Sequence, residues 1–301
     1  MKPAPFTLAS PETLDEALDV LAELGDDGKV LAGGQSLLPM LNMRLAAPAH
    51  LVDINGVAGL ADVEPSTAGV RIGALVRHTR LLEDAGAAAA VPLLAQALSL
   101  VAHPVIRNRG TTVGSLAHTD PSGEMTAVLA LLGGTVELRR RGGARTVGAD
   151  EFFVGPLESC LAPGELAVSA TFPALPPRSG STFREVARRH GDYAMCGVAA
   201  AVTLDEDGRV ERARTAYISM SPVPVVVDLT DAVAGATWDT ADWAAAGRLA
   251  ADGLDPEPDL HASAAYRRQL ATVLTRSALA SAAQAARSAT DAPLATAGGT
   301  P

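Results

Sequence analysis

The chain has 301 residues, long enough for one to three domains, and is 48% hydrophobic but only 3% aromatic, so its core is aliphatic. Its 24 basic and 34 acidic side chains leave a formal net charge of −10, a poor match for nucleic acid or an anionic membrane. Two cysteines, Cys160 and Cys196, exclude a disulfide framework and cannot supply an iron–sulfur or zinc ligand set.

Ser10-Pro-Glu-Thr-Leu-Asp-Glu16 is a helix start, with proline in the first turn and acids at the positive helix end. Leu14, Leu18, Leu21 and Leu24 recur at helical spacing, and Gly25-Asp-Asp-Gly28 ends the helix. Next comes Lys29-Val-Leu-Ala-Gly-Gly-Gln-Ser-Leu-Leu38, a strand over Val30–Ala32, a tight glycine turn and the start of a helix over Leu37–Leu45. Successive amides at such a turn can form a concave anion site. His50–Ile54 and Val70–Ala74 read as strands, and His78–Glu83 and Pro92–Val101 as helices. The uncharged stretch Ala85–Ala102 carries Gly86, Pro92, Gln96 and Ser99, and reads as buried helix rather than a membrane span.

His103-Pro104 breaks the pattern before a second glycine loop, Arg107-Asn-Arg-Gly-Thr-Thr-Val-Gly-Ser-Leu-Ala-His118. The two loops together are the place for one diphosphate-bearing cofactor, although each alone is also an ordinary connection. Glu124–Leu132 reads as a helix, and Thr135–Leu138 with Ala144–Val147 as a hairpin whose arginine turn, 139–141, is a solvated edge. Glu165–Phe172 is a strand, and Pro173-Ala-Leu-Pro-Pro177 is the clearest linker. Beyond it, Ser181–Ala187, Val198–Leu204 and Arg212–Ser219 form three antiparallel strands, with Asp205-Glu-Asp-Gly208 as a hairpin turn. Asp242–Ala250 and Ser263–Ala286 are covering helices, and 287–301 reads as a disordered tail.

No Gly-x-Gly-x-x-Gly and no phosphate-loop lysine occurs, which disfavours the ordinary dinucleotide fold and a nucleotide triphosphatase. His118, Asp120 and Glu124 match no zinc spacing, and Ser115, His118 and Asp120 lack the strand–elbow–helix context of a nucleophile triad. Arg188-Arg189 faces either a partner or phosphates, and the cysteines read as buried small hydrophobes. Tyr193 is either a core tyrosine at a strand entrance or an aromatic beside a planar cofactor ring.

Four segments together resemble one family: Ala32-Gly-Gly-Gln-Ser-Leu-Leu-Pro39, Arg107-Asn-Arg-Gly-Thr111, Ala117-His118 with Asp120-Pro121, and Gly191-Asp-Tyr-Ala194. It is the FAD-binding medium subunit of molybdenum hydroxylases, similar to the carbon monoxide dehydrogenase flavoprotein and the xanthine dehydrogenase flavin domain. The resemblance runs from about Phe6 to about Ala286. It implies an α+β fold of the vanillyl-alcohol oxidase (PCMH) type over 1–175, in lobes of about 1–57 and 58–175. A C-terminal flavoprotein domain with a three-stranded sheet and helices would follow over 178–286.

The same resemblance implies FAD held by Ala32, Gly33, Gly34, Gln35, Ser36 and Leu37 and by Thr111, Thr112, Val113, Gly114 and Ser115. Glu124 would touch the adenosine part, Val101 and Ala167 would lie near the cofactor, Arg184 would face the flavin's polar edge, and Tyr193 would stand near the ring. Two positions depart from the family pattern. Val113 replaces a glycine and would be strained at positive φ, and Gln35 replaces a frequent histidine but still offers amide hydrogen bonds.

The implied role is electron transfer from [2Fe–2S] clusters in a small partner to an external acceptor. A large molybdenum-cofactor partner would carry out the hydroxylation, in a cytoplasmic dimer of heterotrimers. No catalytic or metal-binding residue is expected in this chain. The competing roles are a self-contained flavin oxidoreductase of the same fold and a flavin-free scaffold subunit.

Overall fold

The computed structural model describes residues 2–291. The first lobe is a three-stranded parallel sheet ordered β1-β3-β2, built from β1 (Thr7–Ala9), β2 (Gly28–Leu31) and β3 (His50–Asp53). Helices α1 (Leu14–Leu24) and α2 (Leu37–Asn42) make the crossovers. Thr13 and Glu16 close a reciprocal capping box at the start of α1, so that helix begins three residues later than the Ser10-Pro11 signal alone suggests. Leu18 and Leu21 of α1 are buried in the main core.

The second lobe opens with β4 (Val63–Ser66) and β5 (Gly69–Gly73), followed by six short helices. These are α3 (His78–Leu82), α4 (Ala85–Ala90), α5 (Pro92–Leu98), α6 (Pro104–Arg107), α7 (Thr112–His118) and α8 (Glu124–Leu132). The apolar stretch from Ala85 is thus split at Pro92 into two helices, and among the described residues no helix is long and apolar enough to cross a membrane. Strands β6 (Thr135–Arg140) and β7 (Gly143–Gly148) form the arginine hairpin. Helix α9 (Ala149–Phe152), the small ribbon β8 (Phe153–Gly155) with β9 (Glu158–Ser159), and β10 (Leu166–Pro173) complete the lobe. Its sheet is antiparallel, ordered β4-β5-β10-β6-β7. The arginine turn does more than edge this sheet. Arg141 reaches across to Asp19 of α1 at 2.6 Å and joins the two lobes.

After the proline linker come β11 (Ser179–Ala187), β12 (Ala194–Leu204) and β13 (Val210–Ile218), and a fourth strand, β14 (Val225–Asp228), joins the three expected ones. Helices α10 (Thr230–Val233), α11 (Trp243–Asp252) and α12 (Ala264–Asp291) complete the chain. Residues 287–291 of the expected tail are therefore helical, and the rest of it lies outside the described residues. Period-2 alternation splits this sheet between two cores. Phe183, Ala199, Ala201, Ala216 and Ile218 join the main core of the first 175 residues, while Val198, Ala200, Val202 and Tyr217 pack with the C-terminal helices.

Candidate functional site

The two glycine loops lie against each other. A Cβ at Gly33 would sit 2.5 Å from the Arg109 carbonyl oxygen and 2.8 Å from the Gly110 Cα, so only glycine fits there. Gly34 takes a left-handed φ of +72° and turns the chain into α2, where Leu38 N–H returns to its carbonyl at 3.0 Å. Gln35 Nε2 donates to the Gly33 carbonyl at 3.1 Å and braces the turn from within. Leu37 is the first residue of α2.

In the second loop, Thr111 caps α7, its hydroxyl accepting from Gly114 N–H at 3.2 Å. A Cβ at Gly114 would stand 2.5 Å from that hydroxyl oxygen. Ser115 N–H bonds the Thr111 carbonyl at 3.0 Å. Thr112 and Val113 are buried, and Val113 is a helical residue of the core without positive φ. The expected strain at Val113 is therefore absent, because α7 starts one residue earlier, at Thr112.

Among the described residues, the backbone amides of Gly33, Gly34, Gln35, Ser36, Thr111 and Val113 donate no hydrogen bond. A folded chain leaves few such donors unused. Their concentration at two touching loops has the geometry of a cradle that an anion could occupy. The pattern of free donors and glycine-only contact fits the diphosphate of a dinucleotide.

Three residues that sequence reasoning passed over hold this cradle. Asn55 Nδ2 donates to the Ala32 carbonyl at 2.9 Å, and Arg77 donates both to Asn55 Oδ1, at 2.6 Å, and to the Arg109 carbonyl. Beneath the second loop, the buried His78 donates its backbone N–H to Gly110 at 3.0 Å and places Nδ1 3.0 Å from Thr112 Oγ1. Burial first, then the Arg107 charge, pushes the His78 imidazole down to about 4, so it is neutral at pH 7. Only the Asn55-Gly56 pair, a turn signal, marked any of them in the sequence.

A second group gathers around the first turn of α8, where Glu124 feels the charge of Glu185 on β11. Glu124 opens α8, and burial together with the Glu185 charge raises its carboxyl to about 8. Burial raises Glu185 to about 7, and its Oε2 is buried without a hydrogen-bond partner. Tyr193 is 70% exposed, which rules out the core reading, and its phenol stands beside Asp120. Arg184 does not join this group. It pairs across the sheet with Val198 and reaches Ser281 of α12 at 2.8 Å, on the face away from the main core. The alternation of β11 puts Glu185, not Arg184, on the inner side.

The remaining expected residues sit close to these elements. Val101 is half-buried and its carbonyl accepts from Arg107 at 2.8 Å. Ala167 is buried beside a register shift in the β10–β6 pairing. Of the cysteines, Cys196 is buried, whereas Cys160 is only partly so.

Residues 4–175 match the sequence family described as the FAD binding domain in molybdopterin dehydrogenase. Residues 181–282 match the CO dehydrogenase flavoprotein C-terminal domain. The chain is 42% identical over 288 residues to the 6-hydroxypseudooxynicotine dehydrogenase complex subunit alpha of Paenarthrobacter nicotinovorans, covering 95% of this chain and 97% of that one. It is 33% identical to the carbon monoxide dehydrogenase medium chain of Hydrogenophaga pseudoflava, over 93% and 97% of the two chains. A chain of quinoline 2-oxidoreductase from Pseudomonas putida 86 superposes with a TM-score of 0.89 at 38% identity, covering 95% of this chain and 99% of that one.

Proposed function

This chain belongs to the family of FAD-binding subunits of molybdopterin dehydrogenases, and we propose that it is the electron-transfer subunit of a heteromeric molybdenum-dependent hydroxylase. It works beside a large and a small partner subunit. As in the family, the molybdenum cofactor and [2Fe–2S] clusters belong to those partners, since two cysteines cannot hold a cluster. The finer assembly we propose is a cytoplasmic dimer of heterotrimers.

The observation that carries the cofactor's place is the contact of Gly33 with Arg109 and Gly110, which brings six unused amides together. These amides, at Gly33–Ser36, Thr111 and Val113, hold the diphosphate of FAD, with Ala32, Leu37, Thr112, Gly114 and Ser115 setting the shape of the two loops. When bound, FAD supplies the redox chemistry between the partner's clusters and an external acceptor. Glu124, Val101 and Ala167 border the cofactor, and Tyr193 covers its edge. The neutral His78 keeps a positive charge out of the core beneath the loops and fixes Thr112.

The relatives above are named for 6-hydroxypseudooxynicotine, carbon monoxide and quinoline, and each is similar to this chain over nearly its whole length. Substrate choice therefore belongs to the large subunit. The helical setting of Val113 removes the strain that its departure from the family pattern implied, and with it an argument for a flavin-free scaffold. The test is an absorption spectrum of the purified chain, alone and copurified with its partners. Retained flavin bands after desalting are expected, and their absence from the complex as well would refute the proposal.

A further inference from the structure

The second loop carries a concentration of positive charge that the acidic chain leaves unbalanced. Arg77, Arg107 and Arg109 lie within electrostatic reach of this loop, since Arg77 feels Arg109 and His78 feels Arg107. Among the described residues, none of the three has a carboxylate oxygen within 4 Å, although the chain holds 34 acids against 24 bases. Asp53 acts on the Arg77 charge, and its carboxylate is engaged by Asn55, from the backbone N–H at 3.0 Å and from Nδ2 at 2.6 Å.

Arg77 is also the bridge between the loops. Its guanidinium donates to the Arg109 carbonyl, the same oxygen against which Gly33 packs. Through Asn55 Oδ1, at 2.6 Å, it reaches the Ala32 carbonyl on the other loop. Arg77 is half-buried, so its charge acts through a medium less polar than bulk water. A planar guanidinium can make both contacts at once, whereas a lysine ammonium has no such fork.

We propose that Arg77, through Asn55, is the positioning residue that locks the two glycine loops into one site and supplies the fixed positive charge that selects a diphosphate-bearing flavin over a neutral one. The assignment rests on the reading of these loops as the FAD cradle. Arg109, exposed on the rim of the same loop, adds to the field without a bridging role. Arg77 forms no bond with the ligand's reacting atoms and takes no part in electron transfer itself.

The test uses the complex purified with its partners, stripped of flavin and titrated with FAD and, separately, with riboflavin, which lacks the diphosphate. Arg77→Gln should weaken FAD binding by about tenfold or more, as expected for loss of a charge-assisted contact, and flatten its salt dependence. Riboflavin binding should be unmoved. Asn55→Ala, at an exposed side chain, should weaken FAD binding while leaving the salt dependence intact. Arg77→Lys should restore the salt dependence but not the full affinity. Equal loss for FAD and riboflavin, or wild-type FAD affinity in Arg77→Gln, would overturn the proposal. A wild-type complex that binds neither flavin would instead remove the functional reading on which it stands.

Discussion

Gly33 rests directly on the Arg109 carbonyl oxygen, at a distance a side chain cannot share: an added Cβ would lie 2.5 Å away. The two residues are 76 positions apart in sequence, yet this contact sets the spacing of both loops. Gly33→Ala must push the loops apart. We expect a sharp fall in flavin content per chain, with a stability loss of roughly 1–3 kcal/mol from overpacking. Flavin absorbance per chain and thermal unfolding measure the two effects.

Val113 occupies the opposite situation. It is buried at the second position of α7, so Val113→Gly removes core volume and adds helix entropy cost. The expected loss is about 2–4 kcal/mol in a denaturant titration. Flavin affinity of the folded fraction should be retained, because the loop gains no new conformation it requires.

His78 gives a pH signature. Its folded-state value, about 4, lies below the ordinary 6.5, so the unfolded chain binds more protons between those limits. Stability from this residue is complete above pH 6.5 and falls as the pH drops toward 4, by about 3 kcal/mol at most. Urea titrations of the wild type and His78→Gln between pH 4.5 and 7 should converge as the pH falls. Parallel curves would contradict the assignment.

Glu124 and Glu185 work in the other direction. Both carboxyls are raised, to about 8 and about 7, so ionising them costs stability as the pH climbs from 4.5 through those values. Glu185→Gln relieves Glu124 of a like charge. The variant should be more stable than the wild type at pH 8.5 and indistinguishable from it at pH 5 by denaturant midpoint.

Arg184 supplies the contrast on the same strand. Its partner is Ser281 of α12. Arg184→Ala should leave flavin content and flavin potential unchanged. A shifted flavin potential in Arg184→Ala would show that the guanidinium acts on the cofactor after all.

The sequence was most legible where chemistry is local. Glycine punctuation at Gly33–Gly34 and Gly110, the proline linker and the alternation of β12 all report on neighbouring residues. Non-local partners were not legible. The face of β11 at Arg184 and Glu185 depends on which helices cover the sheet, and the Arg77–Asn55 bridge joins side chains to carbonyls 32 and 23 positions away. Strand β14 follows Pro222 and Pro224 and is too short to show a period, so only its pairing with β13 reveals it. Val113 misled for a related reason: the start of α7 is fixed by the Thr111 cap rather than by the glycine pattern.

The proline linker divides the chain in sequence but not in packing. Phe183, Ala216 and Ile218, all beyond it, are packed in the core of the first 175 residues, and Ser219 N–H bonds the Pro121 carbonyl at 2.7 Å. The two halves are therefore expected to melt together in a calorimetric scan, and a fragment ending at the linker would bare an aliphatic surface to water. For anyone recombining medium chains between relatives, the natural crossover point is not the linker itself: a graft has to bring along the matching inner face of the sheet.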